Sequence, residues 1–248
     1  MKFGKHAPKR SLKTLSLSNY MKASEVPVPQ KWAWERPVPY GMLANDRLGD
    51  CVIACAAHQE MNWGAVVNAG TPFVPTDDQV IADYSAVAGY VPGDSSTDNG
   101  TNMLDAMHYW LRKGFVGRPI AQTFATLDTQ NIDQIKAAIY LFGGVPIGFN
   151  VPQSMVDELN AGIDPTFAFV QNDKPSGEGH CVLPVGYGRS GAAAVSWGKV
   201  YHFSWEFWQA WVDEAYCVVS KNWLKQSGVS PTGLDLDGLL QDAQAILA

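Results

Sequence analysis

A cysteine opening a helix and a histidine opening a strand, far apart in one chain, can together carry out acyl transfer. Cys51 follows Gly49 and Asp50 and begins the Ala-rich run CVIACAAHQEMNWGAVVNAG. In the first turn of a helix, the helix dipole and the unpaired N–H groups favour a thiolate and lower the thiol pKa. Gly49 suits a tight turn that would leave the sulfur accessible. Taken alone, such a cysteine is more often one small buried residue among alanines. His180, in the polar glycine turn GHCVLPVGYG, shifts that balance. It supplies an imidazolium to hold the thiolate and, later, a proton for the leaving group.

The elements that would position this pair follow from patterning. Asp50 is a favourable N-cap for a helix over 51–68. Amphipathic helices are expected at 77–88, 102–113 and 131–142, the first two closed by glycine. Before them lies PVPQKWAWERPVPYG, where prolines 27, 29, 37 and 39 exclude a helix,. After Gly144, VPIGFNV, HCVLPVGYG, AAAVSWG and AYCVVS read as strands,. The aromatic stretch SWEFWQAWVDE reads as a short helix between the last two, and 235–247 as a terminal amphipathic helix. A helical first half and a mainly antiparallel β second half would meet in a cleft.

Composition excludes several function classes. The chain has 248 residues, 46% of them hydrophobic and 17% charged, enough for one sizeable core,. A net charge of −6 argues against nucleic acid as a bulk partner,. Residues 1–25 are the exception, with six Lys/Arg against one Glu, and read as a solvated tail or an intramolecular strap,. Cys51, Cys55, Cys181 and Cys217 form neither a disulfide framework nor a zinc motif,. No apolar run suits a signal peptide or a bilayer span, so no membrane partner and a cytoplasmic location are expected. No phosphate loop, HExxH or carboxylate cluster is present, and neither metal nor cofactor is expected,.

Several segments in order resemble the papain-like cysteine peptidases, which place the histidine roughly 130–150 residues after the cysteine. PVPQKWAWERPVPYGMLANDRLGDC is similar to the family's proline–tryptophan approach to its nucleophile. DNGTNMLDAMHYWLRKGFVG resembles its groove-lining glycine segment, GGVPIGFNVPQSM the strand before its histidine, GHCVLPVGYG its histidine strand, and AVSWG its Ser-Trp-Gly. The resemblance implies an α+β, two-lobed papain-like fold, with a helical lobe at about 40–143, a β lobe at about 144–224 and the cleft between them. Residues 1–25 would be a basic arm, 26–230 the catalytic domain and 231–248 a helical tail. Short arms of this kind point towards a phage- or bacteria-encoded subgroup.

The resemblance also implies roles. Cys51 is the nucleophile, His180 the acid–base and Asn45, where the family keeps a Gln, an oxyanion donor. Asn99, Gly100, Thr101, Gly179 and Cys181 line the substrate groove. The implied activity is hydrolysis of a peptide or protein substrate, as a peptidase or amidase working through a thioester. Departures leave open a catalytically impaired binding or structural protein. Val195 stands where the family's His-orienting Asn belongs, leaving Ser196, a backbone carbonyl or another side chain to substitute, with Trp197 as a shield. Val52 replaces an aromatic, and Thr101 replaces a second glycine, which should narrow backbone access. The family's disulfide cysteines are missing, and 25 residues are too few for an inhibitory propeptide.

The other histidines read as structural: His58 and His108 within helices, with His202 a minor catalytic alternative. Trp205, Phe207, Trp208 and Trp211 read as packing. Asp213 and Glu214 are expected to pair with backbone or basic groups.

Overall fold

A computed structural model describes residues 1–34, 38–67, 73–229 and 232–247. Pro37 and Asn68, the expected end of the first helix, lie outside them.

Helix α1 (Cys51–Val67) is buried along almost its whole length, from Cys51 to Gly64. Its small residues let it lie directly against the central strand β4 (Pro175–Tyr187). The Asp50 carbonyl accepts the first helical hydrogen bonds, from Ile53 and Ala54. Its carboxylate does not cap the helix: both oxygens are buried without a hydrogen-bond partner. Helix α2 (Asp77–Ala88) starts from a Thr76–Gln79 capping box. Helices α3 (Met103–Lys113) and α4 (Ile132–Phe142) start from Asn102 and Asn131, whose side chains accept backbone N–H groups in their first turns,.

Seven antiparallel strands are found among the described residues. They are β1 (Trp32–Ala33), β2 (Thr123–Thr126), β3 (Ile147–Pro152), β4, β5 (Gly191–Ser196), β6 (Lys199–Ser204) and β7 (Val212–Val219). The order is β2-β7-β3-β4-β5-β6, with β1 paired to β4. Strands β2 and β6 and helices α5 (Gln153–Asn160) and α7 (Lys221–Gln226) add to the expected set. Strand β2 is too short to show periodicity, and its partners, β7 and the arm at Leu15–Ser16, are distant in sequence. The aromatic helix α6 (Trp205–Trp211) buries Phe207 and Trp208. Helix α8 (Leu236–Leu247) ends the chain.

The first 25 residues are not a solvated tail. Residues 2–6 run between the α1 side and the β4 side. Further on, Tyr20 and Lys22 exchange backbone hydrogen bonds with Asp235 and Gly233, and the Tyr20 hydroxyl donates to Asp242. The arm is a strap tied to the C-terminal segment at one end and inserted in a groove at the other. No helix among the described residues is long and apolar enough to cross a membrane.

Candidate active site

The helical wall of the groove is built on a tight turn. Leu43 and Ala44 both take left-handed backbone conformations, with φ 54° and 69°. Such conformations are costly for residues with a side chain and persist only where the surroundings hold them. They deliver Asn45, whose Nδ2 donates to the carbonyls of Leu48 (3.0 Å) and Lys2 (3.2 Å). Asp98, which the sequence reading passed over, fixes the loop into α1. It accepts from the Gly49 N–H and the Tyr84 hydroxyl, both at 2.9 Å, while Tyr84 accepts from the Gly100 N–H.

On the sheet wall, Phe149 of β3 lies in register with His180 of β4, and Gly148 with Cys181. His180 Nε2 lies 2.9 Å from Ser196 Oγ. The indole of Trp197 stacks on the imidazole, with centroids 4.2 Å apart and planes 19° from parallel. Trp197 itself sits at φ 45°, a left-handed turn that folds its ring back over His180. Among the substitutes for the missing Asn, the serine hydroxyl is the one that meets the ring. Val195 is buried in β5 opposite Leu183 and Val200. The other imidazole nitrogen, Nδ1, is buried with no hydrogen-bond partner.

Cys51 opens α1, which packs against β4, the strand that carries His180. The Cys51 sulfur is within hydrogen-bonding influence of the Cys181 backbone N–H, one residue beyond His180. The expected accessible, acidified thiol is not what the structure holds. Cys51 and His180 are each 1% exposed. Burial drives the thiol pKa upward and the imidazole's down to about 3, so both groups are neutral in this state,.

The arm is one of the elements that cover the imidazole, with Phe149 and Trp197. Phe3 places its ring edge-on to His180 and against Trp197. Lys2 is clamped by Asn45, its N–H donating to the Asn45 carbonyl at 2.9 Å. The Gly4 and Lys5 N–H groups donate to the Gly179 carbonyl. Thr101 donates to the Gly4 carbonyl and accepts from the His6 N–H, and the Asn99 carbonyl meets the His6 ring. Thr101 therefore does not narrow backbone access, because both its polar backbone groups face the arm. The close approach is made by Gly100, at φ 75°, where a Cβ would come within 2.0 Å of the Gly4 carbonyl oxygen.

Cys55 lies beside the Cys181 thiol, and all four cysteines are free. His58 is buried against the carbonyls of Tyr40 and Gly41, and His108 packs edge-on against Phe124, so both are structural. His202 sits on the outer sheet, 3.5 Å from Ser190 Oγ, in the strand beyond β5. Among the described residues, no group of His, Cys, Asp and Glu side chains is arranged to hold a metal ion.

No family model and no curated protein matches the sequence. Solved structures do match the fold. Xylellain, a cysteine protease from Xylella fastidiosa, superposes with a TM-score of 0.67 at 15% identity, over 88% of this chain and 96% of its own. Procathepsin B S9 from Trypanosoma congolense gives 0.56 at 9% identity, over 88% and 86%. Digestive procathepsin L 3 from Tenebrio molitor gives 0.53 at 13%, over 84% and 76%. Helices packed on an open antiparallel sheet, matched along three quarters or more of each of these proteins, identify the fold of this chain as papain-like.

Proposed function

We propose that the chain is a cysteine-nucleophile hydrolase, a peptidase or amidase, held here in a closed form by its own arm. The observation that carries this reading is the His180 unit: bonded through Nε2 to Ser196, covered by Trp197, with Nδ1 unpartnered, on the strand against which the helix opened by Cys51 packs. With Nε2–H donating to Ser196, Nδ1 is the free base. In the open form it takes the Cys51 proton, and the thiolate attacks the substrate carbonyl carbon. The Cys51 backbone N–H and the Asn45 amide hold the oxyanion. His180 then protonates the leaving amine, and finally activates water to release the acyl group from the thioester. Asn45 already donates to one peptide carbonyl, that of Lys2, which supports its role. Peptides or proteins are the substrates. A cytoplasmic setting fits the four free thiols, and the match to a bacterial protease fits a bacterial or phage origin,.

A second reading, a binding protein that has lost activity, is favoured by the filled groove and the neutral pair. Labelling with a thiol-directed electrophile separates the two. The hydrolase reading expects Cys51 to be modified ahead of Cys55, Cys181 and Cys217 once the arm is displaced, and Cys51→Ala to abolish turnover of a casein or peptide-library substrate. Unselective labelling together with no turnover sinks it.

A further inference from the structure

The arm reaches the groove with six basic residues in its sequence, yet one of them is treated differently from the rest. The Lys5 side chain is 1% exposed, with its ammonium 2.9 Å from Asp213 and 3.3 Å from Glu214. Consecutive strand residues ordinarily face opposite sides of a sheet. Here the β3–β7 register shifts between Gly148 and Phe149, so that Glu214 faces Gly148, Val212 faces Phe149, and Asp213 is the extra residue. The bulge turns both carboxylates towards one spot. Gly148 leaves room for the lysine stem: a Cβ there would lie 1.9 Å from Lys5 Cε. Gly179 does the same for the backbone, since its Cβ would lie 2.3 Å from the Lys5 carbonyl oxygen.

We propose that this pocket, floored by Asp213 and Glu214 and walled by Gly148, selects substrates carrying a lysine or arginine side chain, and that Lys5 occupies the place of that side chain. The inference rests on the hydrolase reading above. The pocket opens onto the reacting groove, because Lys5 is two residues from Phe3, whose ring lies on His180. When the arm leaves, two carboxylates lose their common cation. An aliphatic side chain entering in its place would leave both without a cation, Asp213 partly buried and Glu214 keeping only the Tyr216 hydroxyl, which is unfavourable,. A guanidinium, with five donors in a planar fork, can serve both. Asp213 and Glu214 also border a cavity of about 470 Å³ beneath residues 8–14, which gives a larger head group space.

The test uses the full-length chain carrying Cys51→Ala and Lys5→Ala, titrated with fluorescent acetyl-Ala-X-Ala-Ala peptides in which X is Arg, Lys or norleucine. The Arg and Lys peptides should bind about tenfold or more tightly than the norleucine peptide, the scale of a charge-assisted contact. Adding Asp213→Asn together with Glu214→Gln should shrink the difference to about twofold,. Equal or tighter norleucine binding overturns the proposal. If Lys5→Ala does not fold, the native chain serves instead. Excess Arg peptide should speed hydrogen exchange at the Gly4, Lys5 and His6 amides more than norleucine peptide does, and no difference between the two overturns it. Charge selection is thus read without turnover. Selection without hydrolysis by the native chain removes only the hydrolase reading, and hydrolysis without selection removes only the pocket.

Discussion

Two stretches of the same arm behave in opposite ways. Residues 2–6 are pinned by backbone hydrogen bonds to Asn45, Gly179 and Thr101, and bury Lys5 completely. Residues 8–14 lie over a cavity, with Leu12 fully exposed and Lys9 meeting Asp105 at the surface. Both stretches are basic, so net charge does not explain the attachment. A buried ion pair with several backbone contacts is a latch, whereas an exposed pair of flexible side chains is worth little.

The largest effect should come from removing the latch. Lys5→Ala leaves two carboxylates without a cation, and should cost about 3 kcal/mol of stability in urea unfolding. It should also raise the rate of Cys51 labelling at least about tenfold, since exposing the thiol requires the arm to move aside. An unchanged rate would mean that the arm does not gate the thiol.

Acid should have an intermediate effect on the same contact. The His180 ring is faced by Phe3, Phe149, Trp197 and Ser196, none of them charged. Burial lowers its pKa from 6.5 to about 3. A histidine depressed in the closed form contributes stability above its solvated pKa and loses it as pH falls from about 6.5 towards 3,. Burial also raises the Glu214 pKa, so proton uptake there favours the closed form and offsets part of the histidine's effect,. Hydrogen exchange at the Gly4 and Lys5 amides, corrected for intrinsic rates, should show less protection at pH 4 than at pH 7. Equal protection would argue that His180 does not dominate the pH dependence of closure.

The smallest effect sharpens the contrast. Lys9→Ala removes an equal charge from the neighbouring stretch, and should change stability by less than about 1 kcal/mol. Cys51 labelling should stay as in the unmodified chain. A Lys9 effect as large as that of Lys5 would restore bulk charge as the explanation.

Local patterning explains how much of this was legible. Helix α2 falls on the expected 77–88 because a capping box and Gly89 mark both its ends. Cys51 and His180 stand out by residue type and position, and Asn45 only through the family resemblance; the arm touches Asn45 through Lys2 and His180 through Phe3. Ser196 was among the substitutes considered for the missing orienter, but which of them meets the ring depends on the pairing of β4 and β5. The pocket left weaker traces. Lys5 was one of six basic residues, and Asp213–Glu214 an acidic doublet after an aromatic helix. Only a β-bulge, set by the register of β3 against β7, aims both carboxylates at one ammonium.

Neighbours within a few positions are enough to specify the capped helices, the central strands and the residue types able to carry acyl transfer. The tertiary structure decided whether the reacting pair is charged or neutral, open or covered. Those states are set by desolvation, and the groups that cover His180 (Phe3, Phe149 and Trp197) meet it only through contacts between residues far apart along the chain.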